Sequence, residues 1–114
     1  MKIVIENVSC ANNEVFNLMF TASDIQNPDA YTFTITYNPQ ELDVVDLCGT
    51  TPRLDMTTGN IIGTDVQVIQ FAPGTIVFKK ITPVGLGQSW SGEVDSIKFK
   101  SKISGQSSIT YNIQ

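Results

Sequence analysis

The side chains of this chain offer few groups for catalysis. Histidine is absent from all 114 residues, and histidine is the most common general base and a frequent metal ligand in proteins. A hydrolase would therefore need a carboxylate pair, a Ser–Lys pair or a cysteine with another base. The 11 acidic residues fall mostly in predicted turns or at alternate strand positions, and neither a GxSxG nor an SxxK motif occurs. We therefore predict that the protein is not an enzyme and uses no organic cofactor.

Oxygen-bearing side chains in one segment are candidates for binding a calcium ion. Ca²⁺ needs only oxygen ligands, and Asp55, Thr57, Asn60 and Asp65 lie close together along the chain. Their spacing does not follow the EF-hand pattern, so a hydrated loop without metal is the alternative interpretation. The sequence thus assigns no metal site and leaves calcium as an open prediction.

Trp90 is the only tryptophan and lies among glycine and serine residues in a predicted loop, 83–92. An aromatic ring that stands exposed binds the apolar face of a pyranose, so Trp90, with Tyr31, is a candidate for carbohydrate binding. The alternative is an indole that folds back over the edge of the protein as a plug. The sequence leaves both interpretations open.

Charge and cysteine content restrict the partners and the compartment. A net charge of −4 disfavours nucleic-acid binding, which requires neutralisation of phosphates. Lys98, Lys100 and Lys102 share one strand face, which is either a solvated surface or a docking site for an acidic partner.

Cys10 and Cys48 match neither a CxxC nor a zinc spacing and form a candidate disulfide or two buried thiols. No apolar run approaches the roughly 18–20 residues that span a bilayer, so we expect no membrane insertion.

The residue types and their periodicity predict an all-β protein. The 13 Ile, 10 Val and 12 Thr far outnumber the good helix formers Ala and Leu. In segment 31–37 aromatic and aliphatic residues alternate with threonines, which buries one strand face and leaves a threonine row on the other. The predicted strands are 2–5, 15–22, 31–37, 42–48, 66–71, 75–81, 94–103 and 108–113, and segments 49–64 and 83–92 are predicted loops. Many short strands without a helical period indicate a sandwich or a barrel.

Several segments resemble the cohesin family. Segment 31–39, YTFTITYNP, followed by 42–45, LDVV, is similar to the cohesin pattern in which a strand ends in Tyr-Asp-Pro or Tyr-Asn-Pro and leads to Leu-Glu-Val-Val. Segments 74–78, GTIVF, 91–100, SGEVDSIKFK, and 105–111, GQSSITY, look like the later cohesin strands in the same order. The resemblance implies a jelly-roll β-sandwich of about eight or nine mostly antiparallel strands. Carbohydrate-binding modules of families 2 and 3 share this fold.

The resemblance also implies a function and a setting. Cohesins bind the dockerin domains of enzymes in clostridial cellulosomes or on cell surfaces, and the related modules bind plant cell-wall polysaccharide. We therefore expect residues 1–114 to form a single extracellular or cell-surface module from a larger multimodular protein. The first hypothesis for its function is that a dockerin-type protein module docks on a flat face that includes Thr32, Thr34 and Thr36. The alternatives are a carbohydrate-binding module that uses Trp90 and Tyr31, and a structural spacer domain.

Overall fold

β-strands make up most of the part of the chain that the structure describes. The computed structural model describes the backbone of residues 2–47, 59–60 and 65–113 and the side chains of 7–47 and 65–113. The strands in these ranges are β1 (Lys2–Cys10), β2 (Val15–Gln26), β3 (Phe33–Tyr37), β4 (Leu42–Asp46), β5 (Gly59–Asn60), β6 (Val66–Ala72), β7 (Thr75–Lys80), β8 (Ser89–Ser101) and β9 (Gly105–Ile113). A 3-10 turn, Pro28–Ala30, precedes β3. The predicted all-β class is confirmed.

The strands form two antiparallel sheets that pack face to face. Within the described ranges, one sheet has six strands in the order β1-β9-β3-β7-β6-β5, and the other has three in the order β2-β8-β4. Lys2 lies opposite Ile113 at one end of the β1–β9 pair, and Cys10 lies opposite Gly105 at the other end. The predicted β-sandwich is therefore confirmed, while jelly-roll connectivity stays a prediction. The described residues contain no helix that is long and apolar enough to cross a membrane.

The core lies between the sheets and follows from the period-two pattern of the strands. In β3 the side chains of Phe33, Ile35 and Tyr37 are buried, because alternate side chains point to the same face of a strand. Aromatic contacts link the two sheets. The ring of Tyr37 lies 5.6 Å from that of Phe99 on β8 in an edge-to-face arrangement. Such a pair stabilises the fold by about 0.5–1.5 kcal/mol beyond the burial of its area.

The turn between β6 and β7 follows its sequence signal. Ala72-Pro73-Gly74-Thr75 connects the two strands, which pair with each other in antiparallel register. Gly74 has φ +92°, and a Cβ there would lie 3.2 Å from the carbonyl oxygen of Tyr37. Glycine is the residue that adopts this conformation without strain and allows the close approach.

Several predicted boundaries differ from the observed ones. Strand β8 begins at Ser89, so Trp90 lies in a strand and not in the predicted loop 83–92. The reason is tertiary: β8 pairs with the end of β2, where Ile25 lies opposite Trp90, beyond an irregularity in the register. Pairing with a neighbouring strand overrides the low strand propensity of glycine and serine. Of the predicted loop 49–64, residues 59–60 form β5, and the remainder lies outside the described residues.

Candidate functional site

The outer surface of the six-stranded sheet carries a row of threonines from three adjacent strands. Thr34 and Thr36 of β3 lie opposite Asn112 and Thr110 of β9. On the other side of β3 they lie opposite Val77 and Thr75 of β7. We call these six residues, Thr34, Thr36, Thr75, Val77, Thr110 and Asn112, the threonine face. It exists because β3 buries its other side chains and leaves its threonines on the solvent side.

The chemistry of the threonine face is neutral and polar. None of its six residues carries a charge; Thr36 is exposed and the other five are half-buried. Adjacent strands lie about 4.8 Å apart, so hydroxyl groups on neighbouring strands form a close array of hydrogen-bond donors and acceptors. Such an array can both donate and accept hydrogen bonds.

Lys79 borders this face at the next outward position of β7, but its charge is held against the backbone. Its ammonium group donates hydrogen bonds to the carbonyl oxygens of Asp29, at 3.1 Å, and Tyr31, at 3.5 Å.

Thr32, the first residue of the predicted threonine row, lies one position before β3. The structure therefore brings Thr34 and Thr36 together with threonines that the local pattern could not connect to them.

Trp90 is half-buried and packs against the core. Its ring meets the ring of Phe33 edge to face at 5.9 Å, and the Lys80 ammonium nitrogen lies 5.4 Å from its centroid. Gly92 makes room for the indole, because a Cβ at that position would lie 2.9 Å from Cζ2 of Trp90. The geometry corresponds to the folded-back alternative of the sequence interpretation.

The other aromatic residues are equally committed to the interior. The six Phe, three Tyr and single Trp of the chain all have described side chains. Each is either buried in the core or packs against it, and Tyr31 belongs to the second group. The chain therefore presents no exposed aromatic platform for a sugar ring among these residues.

Asp65 is the one calcium candidate whose side chain the structure describes. Its carboxylate forms an ion pair with the buried ammonium of Lys80 at 2.5 Å and accepts hydrogen bonds from the backbone and hydroxyl of Thr82. The hydrogen bond from Lys80 is the main cause that lowers the pKa of Asp65. Both oxygens thus have protein partners. Asp55 and Thr57 lie outside the described residues, as does the side chain of Asn60.

Other metal and thiol chemistry is limited in the described part of the chain. Its side chains include no group of three or more Cys, Asp or Glu residues arranged to hold a metal ion. Cys10 is buried and has no disulfide partner among the described residues, and its S–H donates to the carbonyl oxygen of Val8 at 3.5 Å. Cys48, its candidate disulfide partner, lies outside the described residues.

A buried acid that the sequence interpretation missed lies on β8. Asp95 is 1% exposed, and neither of its carboxyl oxygens makes a hydrogen bond. Burial raises the pKa of Asp95 to about 8. The nearby Ser96 N–H offsets part of this rise without regular hydrogen-bond geometry, whereas the carboxylates of Glu93 and Asp46 add to it. The group is therefore protonated at neutral pH and sealed from solvent, which leaves it no substrate to act on.

A signal for Asp95 was present in the alternation of β8. Asp95, Ile97 and Phe99 occupy alternate positions of the strand and therefore share one face, opposite to the face of Lys98 and Lys100. A β-bulge lies beside Asp95, where the register shifts between Phe20 and Thr21 of β2. The alternation places the carboxyl on the core side despite its polarity.

Comparisons with known proteins identified no relative of this chain. No protein-family model, no curated protein and no solved structure matches the chain.

Proposed function

We propose that this protein is a non-catalytic docking module that binds a partner protein domain on the threonine face. The observation that carries the proposal is the register of β9, β3 and β7, which places six uncharged polar or small apolar side chains on one sheet surface. A regular sheet surface of this kind offers both area and hydrogen-bonding groups to a folded partner. The resemblance to cohesins supports a dockerin-type domain as that partner.

The wider setting belongs to the same proposal. By the resemblance, the chain is a jelly-roll module of a secreted or cell-surface protein, of the kind found in cellulosomes. The low content of catalytic groups agrees with a role in assembly, since Asp95, the acid with the most strongly raised pKa among the described side chains, is buried in the core.

Protein docking has more support than carbohydrate binding through Trp90 and Tyr31. Sugar binding by stacking requires an exposed aromatic face. Trp90 instead contacts Phe33, Lys80 and Gly92, and Tyr31 packs against the core. A spacer domain needs no shared surface at all, and the alignment of threonines on three strands favours docking over this alternative.

Isothermal titration calorimetry with a dockerin-type domain tests the proposal. We expect Thr36→Arg to weaken binding by about ten-fold or more, because a bulky charge would be desolvated at the centre of the interface. Thr21→Arg is the matched control. Thr21 is exposed on the outer side of β2, in the other sheet, so this variant should bind as the wild type does.

Two results would contradict the proposal. One is equal loss of affinity in both arginine variants, which would indicate a general charge effect. The other is an absence of binding to dockerin domains together with retardation of the protein on β-glucan, xylan or pectin gels that Trp90→Ala abolishes. That outcome would establish carbohydrate binding instead.

A further inference from the structure

Leu86 is the most exposed large apolar side chain among the described residues. It is 93% exposed and lies at the tip of the loop between β7 and β8, flanked by Gly85 and Gly87. Burial of such a side chain against another apolar surface is favourable. Single exposed apolar residues are common on protein surfaces, so exposure alone says little. The loop around Leu86 is what distinguishes it.

Two side chains of the 3-10 turn region, Asn27 just before the turn and Asp29 within it, bind the backbone of this loop. The contacts are the Val84 N–H to the Asp29 carboxylate at 2.9 Å, the Gly85 N–H to the same carboxylate at 3.0 Å, and the Gly87 N–H to Oδ1 of Asn27 at 2.7 Å. The two hydrogen bonds to the Asp29 carboxylate are charge-assisted and therefore stronger than hydrogen bonds between neutral groups. Leu86 is therefore displayed on an ordered loop, and binding through it requires little further loss of conformational entropy.

An apolar groove lies where β3 ends and β4 begins. Its volume is about 430 Å³, within the range of roughly 300–1,000 Å³ of pockets that hold ligands. The lining includes Tyr37, Pro39, Leu42, Val44, Phe71 and Pro73. At its rim Lys102 pairs with Asp43 at 2.9 Å and donates to the carbonyl oxygen of Pro39 at 2.7 Å. The groove thus has apolar walls, a polar edge and room for more than one aliphatic side chain.

The groove and Leu86 lie at opposite ends of the sandwich. Strand β7 connects them, because it starts after Pro73 at the groove and ends before the Leu86 loop. Strand β8 runs in the opposite direction, from the Leu86 loop back to Lys102 at the groove, and its 13 residues span about 43 Å. This length agrees with the longest dimension of the molecule, 45 Å.

The geometry points to head-to-tail association, in which Leu86 of one copy of this chain inserts into the groove of a second copy. The Leu86 knob and the groove are both apolar and belong to the same chain. Leu86 is 93% exposed, and of the apolar groove residues Pro73 is exposed and Pro39, Val44 and Phe71 are half-buried. The two shorter extents of the molecule, 27 and 20 Å, correspond to a contact of on the order of 1,100 Å² when two end faces meet, which is close to the minimum of about 1,000 Å² for a specific interface. The contact is accordingly weak and reversible.

Such a contact joins two different surfaces and is heterologous. Each copy that contributes Leu86 still has its own groove free, and each copy that contributes a groove still has its own Leu86 free. Heterologous contacts continue into open chains unless the rotation between copies closes a ring. Neither surface includes the threonine face, so the association is independent of the docking function proposed above.

Sedimentation velocity from about 20 μM to about 1 mM, a range suited to a weak interface, tests this inference. We expect the average mass of the wild type to rise above 12.5 kDa with concentration. Leu86→Asp removes the knob and Pro73→Glu places a charge in the groove, so each variant alone should remain monomeric. Their equimolar mixture should form a complex of two chains and nothing larger, since it combines one intact groove with one intact leucine.

Matched controls separate this contact from other causes. Met19→Asp, at another exposed apolar residue, should associate like the wild type. If circular dichroism shows that Pro73→Glu is unfolded, Gln40→Arg blocks the groove from its exposed side. A wild type that stays monomeric at every concentration overturns the inference. So does unchanged association of Leu86→Asp, or a mixture of folded variants that does not pair. Dockerin binding by Leu86→Asp reports separately on the threonine face.

Discussion

At the scale of single residues, Asp95 is the most unusual group in the described structure. Its side chain lies in the core on the same face of β8 as Ile97, with both oxygens buried. A carboxylate in such a place loses its hydration, and the molecule responds by keeping the group protonated. The free-energy cost of burying the Asp95 carboxyl group therefore depends on pH.

We predict that the free energy of unfolding falls as the pH rises from about 4 to about 8. In the unfolded chain Asp95 loses its proton near pH 3.9, whereas the folded protein holds it up to a pKa of about 8. Between these values the folded state binds more protons, so raising the pH favours unfolding by up to about 1.4 kcal/mol per pH unit. Asp95→Asn should remove this slope and stabilise the protein at pH 7 by about 2–4 kcal/mol.

Urea denaturation of the wild type and Asp95→Asn between pH 4.5 and 8.5 measures the effect. Asp24→Asn is the control, since Asp24 is an exposed acid on β2 and its replacement should leave the pH dependence as it is. Parallel curves for the wild type and Asp95→Asn would show that Asp95 does not hold its proton in the folded state.

At the scale of elements, local alternation predicted some strands well and others poorly. Strand β3 could be predicted from the sequence because Phe33, Ile35 and Tyr37 alternate strictly with threonines. One buried face is enough to define the orientation of the strand. The start of β8 could not be predicted, because Ser89 and Gly92 have low strand propensity and their pairing with β2 is a long-range interaction. Gly92 was the available signal for the position of Trp90, because the indole packs where a side chain would stand.

The Leu86 loop offers a prediction at this scale. Asp29→Ala removes the carboxylate that accepts the N–H groups of Val84 and Gly85. We expect amide hydrogen exchange at these two residues to accelerate by about ten-fold or more, as each lost charged hydrogen bond is worth about 1.5–3 kcal/mol. NMR-detected exchange measures it. Asp24→Asn serves again as the control, and unchanged protection at residues 84 and 85 would show that Asp29 does not order the loop.

At the scale of the whole molecule, the sandwich could be predicted from the sequence but the threonine face only in part. Alternation placed Thr34 and Thr36 on one side of one strand. Their neighbours Thr75 and Thr110 come from strands that are distant in sequence, and the order β9-β3-β7 depends on pairings that no local pattern encodes. The relative position of Leu86 and the groove could not be predicted from local patterns either, because their placement at opposite ends follows from the course of β7 and β8.

The adjacency of Lys2 and Ile113 in the β1–β9 pair has a mechanical consequence. Force applied between these two residues acts across the strands and breaks their hydrogen bonds one after another, as a zipper opens. Force between Lys2 and Gln106 acts along the strands and loads the bonds of the pair together. We expect single-molecule pulling to rupture the protein at lower force in the first geometry, and equal forces would contradict this register. A tether attached at residues 2 and 113 would therefore peel the molecule open before shearing its core.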